Sequence, residues 1–241
     1  MSRSALETLR HTIIVSVQAD HGEPLNQPEC LLAMAMSAIN GGAKGLRLAN
    51  PENIDHIKKY LPEIPVIGIT KPPYPYADPE NRVYITPNLW AAESLCQAGA
   101  EIVAMDATLR PRPEGESLPE IVSTLRERFP HVQLMADIAT LEDAQAADKL
   151  GFDVISTTLA GYTAETLSRK DPEAPDFELF QQVCQSVSAP VILEGRVWAP
   201  AHVEQAFDLG AYAVVIGSAI TRPHHITQRF VKAVPTIKAA N

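Results

Sequence analysis

The sequence has few of the features that mark secreted, metal-binding or membrane-spanning proteins. Three cysteines occur among 241 residues, with no CxxC or Cys/His spacing typical of a metal site. This odd number favours a reducing compartment, and we expect Cys30, Cys96 and Cys184 to be buried free thiols. No apolar run approaches the roughly 18 residues of a membrane helix, and polar residues 1–11 predict no secretory signal. We therefore expect a cytoplasmic protein without a membrane partner.

An excess of positive charge is also lacking. The formal net charge is −9, from 20 Lys and Arg against 29 Asp and Glu. Proteins that bind nucleic acid need a basic surface to neutralise backbone phosphates, so we expect no nucleic-acid partner. A small anionic ligand remains compatible with this charge, because it needs only local positive groups.

What the sequence does contain is a regular alternation of short apolar runs and amphipathic stretches. Most of the runs are rich in Val and Ile and apolar on both faces, which is typical of parallel strands covered by helices. We predict eight strands: Thr12–Gln18, Lys44–Leu48, Val66–Lys71, Glu101–Asp106, Val132–Asp137, Asp153–Thr157, Val191–Glu194 and Ala213–Gly217.

The residues that precede these strands repeat with a period of two strands. A glycine, which readily ends a helix in the left-handed conformation, precedes the even-numbered strands: Gly42, Gly99, Gly151 and Gly210. A proline, which stops a helix, precedes three odd-numbered strands: Pro65, Pro130 and Pro190. This repeat predicts a single (β/α)₈ barrel of the TIM type over residues 1–241, with an open doubly wound sheet as the alternative.

Capping signals and long loops fit the same scheme. The predicted caps are Asn50 and Thr86 before prolines, Ser117 with Glu120, Thr140 with Asp143, and Asp176 before a helix over Phe177–Val187. Two segments after strands, Pro72–Tyr84 and Leu159–Pro175, are long enough to be lids or binding loops, with surface elaboration as the alternative.

Polar side chains stand at the ends of most predicted strands. A barrel places its active site at the carboxyl ends of its strands, and polar groups there are costly without partners. The set consists of Gln18, Arg47, Lys71, Asp106, Asp137, Ser156 with Thr157, and Glu194. So many polar ends predict a site for a polar ligand.

Among these residues, Lys71 is the candidate base. Partial burial and the nearby charge of Arg47 would lower the pKa of its ammonium, although a fixed cation is the alternative. Glu194 fits a hydroxyl contact, a proton shuttle or an ion pair with Arg47 or Lys71. Gln18 fits either a substrate amide or a structural hydrogen bond.

The two aspartates leave a choice between binding and structure. Asp137 and Asp106 could orient hydroxyls or the lysine. Asp106 precedes Arg110 and Arg112 and could equally pair with them.

A phosphate site is predicted after the last two strands. Barrels often bind phosphate with the loops after strands seven and eight and the start of a short extra helix. Here those loops offer Gly195, then Gly217 and Ser218, with Arg222 close behind for a bidentate contact. The alternative is a plain turn in which Arg222 pairs with a carboxylate.

Several motifs, in order, resemble one known family. They are Ser16-Val17-Gln18, Gly68-Ile69-Thr70-Lys71, Tyr84-Ile85-Thr86-Pro87, Met135-Ala136-Asp137-Ile138, Ser156 to Thr163, Glu194-Gly195-Arg196 and Gly217 to Pro223. From Ile14 to about Phe230 the chain resembles the bacterial N-acetylmannosamine-6-phosphate 2-epimerases, often called NanE. Ser218 departs from the glycine expected there.

The resemblance implies interconversion of N-acetyl-D-mannosamine 6-phosphate and N-acetyl-D-glucosamine 6-phosphate in sialic acid degradation, with no metal and no nicotinamide cofactor. It implies that Lys71 is the catalytic lysine and Glu194 the nearby carboxylate. We count Gln18, Arg47, Asp137 and Thr157 as predicted substrate-binding residues, and Gly195, Gly217, Ser218 and Arg222 as predicted phosphate-binding residues.

Other functions remain as alternatives. Another phosphate-binding barrel, such as a ketose-phosphate epimerase or a Schiff-base aldolase using Lys71, fits many of the same residues. A sugar-phosphate sensor without catalysis is a third reading. We expect a small-molecule sugar phosphate as the partner, and a homodimer is one option for such a barrel.

Overall fold

The computed structural model describes residues 4–72 and 78–235 and forms a closed barrel of eight parallel strands. Each strand pairs with the next along the chain, and β8 pairs with β1. The strands are β1 Ile13–Val17, β2 Gly45–Ala49, β3 Val66–Ile69, β4 Ile102–Asp106, β5 Gln133–Asp137, β6 Val154–Ser156, β7 Val191–Glu194 and β8 Ala213–Ile216. The predicted (β/α)₈ barrel is confirmed.

Helices surround the barrel and follow each strand. They are α1 Ala5–Leu9, α2 Pro28–Asn40, α3 Pro51–Lys58, α4 Leu89–Gln97, α5 Leu118–Arg128, α6 Leu141–Lys149, α7 Phe177–Ser186, α8 Pro200–Asp208, α9 Ser218–Thr221 and α10 Pro223–Lys232. The short α9 after β8 is the extra helix expected at a phosphate site. Within the described ranges, no helix is long and apolar enough to cross a membrane.

Several strands end earlier than predicted, which places polar side chains on the rim instead of within the sheet. Lys71 lies two residues past β3, and Gln18, Thr157 and Gly217 each follow their strand directly. At the end of β3 the backbone leaves the ladder because side chains take over its hydrogen bonds. The Thr70 N–H donates to Thr86 Oγ1 at 3.1 Å, and the Lys71 N–H donates to Asn50 Oδ1 at 3.4 Å.

Two layers of apolar side chains form the core. The inner layer fills the barrel with buried residues of β1, β3, β4, β5, β6, β7 and β8, and the outer layer packs the helices against the strands. Leu6 and Leu9 of α1 join the inner layer at the end of the barrel where the strands begin, opposite their carboxyl ends. The Leu6 N–H donates to Gln133 Oε1 at 2.9 Å, which ties α1 to the start of β5.

Some of the predicted helix signals are confirmed and others are wrong. Thr140 and Asp143 form the predicted capping box, and Asp176 accepts from Leu179 N at 2.9 Å. Asn50 and Ser117 occupy the predicted N-cap positions of α3 and α5, but neither side chain makes a capping bond. The Asn50 side chain instead accepts from the Lys71 N–H.

Thr86 also fails as a cap, and the thiols are less buried than expected. Helix α4 begins at Leu89, capped by Asn88, while the Thr86 hydroxyl accepts the Thr70 N–H. Of the three free thiols, Cys96 is buried, and Cys30 and Cys184 are partly exposed.

Gly68 in the middle of β3 leaves no room for a side chain. An added Cβ would lie 2.8 Å from Ala100 Cβ and 2.9 Å from Ile54 Cδ1. Overpacking a core typically costs about 1–3 kcal/mol, and we expect Gly68→Ala to lower the free energy of unfolding by that amount, as measured by urea denaturation. In a double-mutant cycle, Ala100→Gly should reduce this penalty. An unchanged penalty would show that the Ala100 contact is not its cause.

Candidate active site

A cavity of about 310 Å³ opens at the carboxyl ends of the strands, where the sequence predicted a site. Seven of the ten predicted site residues line it: Gln18, Lys71, Glu194, Gly195, Gly217, Ser218 and Arg222. Arg47, Asp137 and Thr157 do not line it. The barrel therefore brings together the residues predicted for catalysis and phosphate binding, while the roles themselves stay predictions.

Arg47 and Asp137 form a buried ion pair instead of facing the cavity. Their side chains are 1% and 0% exposed. Arg47 donates from Nη1 to Asp137 Oδ1 at 3.1 Å and from Nη2 to Oδ2 at 2.6 Å, a bidentate pair between β2 and β5. The sequence could not show this, because both residues lie in predicted strands and only closure of the barrel turns their side chains toward each other.

Thr157 also supports the site from within the protein. Its hydroxyl donates to the Glu194 carbonyl oxygen at 3.1 Å and accepts from the Glu194 N–H at 3.3 Å. These bonds join the end of β6 to the end of β7 and fix the backbone that carries Glu194.

Lys71 lies in the cavity wall, where its surroundings lower the pKa of its amine. Burial lowers the pKa of its ammonium to about 8, the carboxylate of Asp20 opposes that shift, and the charges of Arg47 and Arg222 add to it. A large fraction of this amine is therefore neutral near pH 8.

Glu194 is the second titratable group of the cavity. Burial raises the pKa of its carboxyl, Arg47 opposes the rise, and Asp137 adds to it. Arg47 Nη1 lies 3.3 Å from Glu194 Oε2, so the ion pair considered from the sequence is present. In this one cavity, the pKa of the Lys71 amine is thus lowered and the pKa of the Glu194 carboxyl is raised, so both are shifted toward pH 7.

Gln18 presents one hydrogen-bonding atom without a partner. Its amide Nε2 donates to Ser16 Oγ at 2.7 Å. Its Oε1 is buried and has no partner among the described residues. A buried acceptor without a partner is costly, and a ligand N–H or O–H would satisfy it.

The region predicted to bind phosphate contains two glycines and Arg222, whose side chain already has carboxylate partners. Gly195 has φ +106°, which strains any other residue, and a Cβ at Gly217 would lie 3.3 Å from Ser16 Cβ, so both positions favour glycine. Arg222 Nη1 lies 3.1 Å from Asp20 Oδ2 and 2.6 Å from Glu23 Oε1. The carboxylate pairing that was the alternative for Arg222 is therefore present.

Asp106 belongs to a separate cluster beneath a loop. It accepts from Thr108 Oγ1 at 2.7 Å and pairs with Arg110 Nη2 at 2.5 Å. Arg112 bonds to its backbone carbonyl and not to its carboxylate. Asp106 does not line the cavity, and the arginine pairing considered from the sequence accounts for its place.

Several lining residues were not singled out from the sequence: Tyr84, Thr158, Tyr162, Trp198 and His225. Arg196, another lining residue, holds the segment 159–175 by donating to the carbonyl oxygens of Ala160 at 2.7 Å and Ala174 at 3.0 Å. No local pattern could have identified this contact, because its partners lie 22 and 36 residues away.

Comparison with known proteins places the chain in one group. A sequence profile of the family provisionally described as N-acetylmannosamine-6-phosphate epimerase matches residues 31–236. The chain belongs to the N-acetylmannosamine-6-phosphate epimerase family. The resemblance found in the sequence is confirmed.

Relatives in this epimerase family match the chain over nearly its whole length. A Listeria monocytogenes protein provisionally named N-acetylmannosamine-6-phosphate 2-epimerase is 42% identical over 99% of this chain and 98% of its own length. One of the same provisional name from an Enterobacter species is 45% identical over 96% of both chains.

A solved structure of the epimerase family has the same fold. The N-acetylmannosamine-6-phosphate 2-epimerase from Clostridium perfringens superposes with a TM-score of 0.88 at 38% identity, covering 97% of this chain and 98% of that one. The cavity at the strand ends is therefore the candidate active site of an epimerase.

Proposed function

We propose that this protein interconverts N-acetyl-D-mannosamine 6-phosphate and N-acetyl-D-glucosamine 6-phosphate by removing and returning the proton at C2. It is an isomerase acting on carbohydrates, in keeping with its family. Within the site, the observation that carries the proposal is that Lys71 and Glu194 line the same cavity. The pKa of Lys71 there is lowered to about 8.

The chemistry requires a base near C2 and a proton donor on the opposite face of that carbon. In the open-chain sugar C1 is an aldehyde, so loss of the C2 proton gives an enolate. The neutral Lys71 amine takes this proton and becomes an ammonium. Glu194 returns a proton to the opposite face of C2 and becomes a carboxylate. Proton exchange with solvent then restores both groups.

The rest of the cavity positions the substrate. The open Oε1 of Gln18 accepts the acetamide N–H or a sugar hydroxyl. The loops after β7 and β8, with Gly195, Gly217 and Ser218, hold the phosphate. Arg222 contributes by turning part of its guanidinium toward the phosphate while Asp20 and Glu23 hold the rest. Binding of the phosphate, at a distance from the reacting carbon, aligns C2 with Lys71 and Glu194.

Arg47 and Asp137 act from beneath the substrate. Their ion pair fixes a positive charge 3.3 Å from Glu194 and so influences when that carboxyl carries its proton. We assign them a positioning role in place of the direct contacts expected from the sequence.

The cellular setting belongs to the same proposal. The enzyme acts in the cytoplasm as a single domain over residues 1–241, in sialic acid breakdown and amino-sugar metabolism. Its partner is the sugar phosphate, and a homodimer is compatible with a barrel of this kind.

Proton NMR in heavy water tests the reaction directly. Purified protein is incubated with N-acetylmannosamine 6-phosphate, and we expect the gluco epimer to form with deuterium at C2. A folded protein that gives neither epimer nor exchange would contradict the proposal. Borohydride trapping of substrate on Lys71 would instead indicate Schiff-base chemistry.

The charge state of Lys71 gives a pH prediction that needs no substrate. Only a neutral amine reacts with acylating reagents, and the pKa of about 8 means that this form is minor at pH 7 and dominant at pH 9. The acylation rate of Lys71, followed by peptide mass spectrometry, should rise with pH and reach half its maximum near pH 8. A rate still rising steeply above pH 10 would contradict the lowered pKa.

A further inference from the structure

Thr158 lies two residues beyond β6 and lines the cavity beside Glu194. Three oxygen atoms surround its hydroxyl. Asp137 Oδ1 lies 2.6 Å from Thr158 Oγ1, Ser156 Oγ lies 3.0 Å away, and Glu194 Oε2 lies 3.1 Å away. One side chain therefore connects the buried carboxylate of Asp137 to the carboxyl group of Glu194 that faces the cavity.

The number of available protons limits what this hydroxyl can do. A threonine hydroxyl has one proton to donate and two lone pairs to accept with. It can serve only one of the two carboxyl groups as a donor at any time. The distance of 2.6 Å to Asp137 is the shorter of the two, so the hydroxyl donates to Asp137. The longer distance to Glu194 is that of an ordinary bond.

The charges around Glu194 agree with this assignment. Both amino groups of Arg47 donate to Asp137, at 3.1 and 2.6 Å, so the guanidinium is engaged by that carboxylate from two sides. Glu194 faces the same guanidinium at 3.3 Å, with Lys71 across the cavity and Thr158 beside it. One guanidinium is thus shared by two carboxyl groups, and Glu194, which lacks a bidentate bond to it, is the one that can give and take a proton.

We propose that Thr158 is a hydroxyl switch: it donates to Asp137 while Glu194 carries a proton, and it turns to donate to Glu194 once that carboxyl has given its proton to the substrate. This inference rests on the proposed epimerase function and adds a positioning residue to it. Thr158 acts through Glu194 and does not itself exchange a proton with C2.

The step balances for protons and charge. Lys71 takes the C2 proton and becomes an ammonium. Glu194 delivers one proton to the other face of C2 and becomes a carboxylate. Rotation about the Thr158 Cβ–Oγ bond moves one hydrogen bond from Asp137 to Glu194, and Asp137 keeps both bonds from Arg47. The hydroxyl therefore stabilises the new charge on Glu194 without any change in its own protonation.

The test separates proton removal from inversion. In heavy water, deuterium entering the remaining manno substrate reports removal and return on the Lys71 face, whereas deuterium in the gluco product reports delivery from the Glu194 face. Thr158→Val keeps the shape but removes the hydroxyl. We expect it to slow inversion by about tenfold or more, through kcat and not KM, and to slow exchange with retention much less.

Two further variants distinguish a switch from a general disturbance. Thr158→Ser keeps the hydroxyl and should restore most of the inversion. Thr163→Val removes a buried hydroxyl that bonds to Thr166 in the same loop, and its ratio of inversion to exchange should equal that of the wild type. The proposal would be overturned if Thr158→Val slowed inversion and exchange with retention equally. It would also be overturned if Thr158→Ser did not recover the rate of inversion.

An infrared measurement needs no substrate and keeps the two proposals distinguishable. At pH 7 the wild type should show the carbonyl stretch of a protonated carboxyl, and Glu194→Gln should lack it. Absence of that band in the wild type would overturn the assignment. If the wild type leaves the sugar phosphate unchanged, the epimerase proposal fails, while the band still decides whether Glu194 is protonated beside Thr158.

Discussion

Lys71→Ala is expected to abolish epimerisation, lowering kcat by about 10²–10⁴-fold, the usual contribution of a general base. The variant lacks the only group proposed to remove the C2 proton. Deuterium entry at C2 should fall together with the formation of product, because both begin with that removal. The NMR assay in heavy water measures both rates in a single experiment.

The matched control is Lys71→Arg, which keeps a cation of similar length. Arginine stays protonated in proteins and cannot serve as the base, so this variant should be as inactive as Lys71→Ala. Both variants should still bind the sugar phosphate, measured by calorimetry, because the predicted phosphate contacts lie on the loops after β7 and β8. Full activity in Lys71→Ala would refute the assignment.

Asp137→Asn is expected to cause the largest loss of stability among the site variants. It leaves the guanidinium of Arg47, which is 1% exposed, without its bidentate partner. Breaking a buried ion pair from one side typically costs about 3–5 kcal/mol, because the remaining charge stays buried. Urea denaturation should show this as a lower midpoint, and inversion should also slow because Glu194 loses its positioned neighbours.

The double variant Arg47→Met with Asp137→Asn also removes the buried guanidinium that Asp137→Asn leaves without its bidentate partner. Replacing both members of a buried pair is often close to neutral, so the double variant should be more stable than Asp137→Asn alone. Its activity should nevertheless remain low, since the fixed charge near Glu194 is gone. Equal stability of wild type and Asp137→Asn would mean that the pair contributes little.

The fold was largely predictable from local signals. Alternating apolar runs define the strands, and glycines such as Gly42 and Gly99 adopt the expected left-handed conformation, with φ of 105° and 91°. Thr140 and Asp143 form their predicted capping box. Each of these signals depends on a few neighbouring residues, and the local chemistry is strong enough to specify them.

The errors occurred where a distant part of the chain supplied the partner. Thr86 matches a cap by sequence, yet its hydroxyl accepts from Thr70 in the preceding strand segment. Thr158 was not among the predicted site residues, since its contacts are with Asp137 and Glu194, which lie 21 and 36 residues away.

The sequence alone determined an eight-stranded barrel, its family resemblance and the set of polar residues at the carboxyl ends of the strands. Tertiary structure decided which of these residues face the cavity. Lys71 and Glu194 line it, whereas Arg47 and Asp137, 90 residues apart, meet beneath it at 2.6 Å. The physical reason is register: successive side chains of a strand point to opposite faces, and only closure of the barrel fixes which strand ends meet.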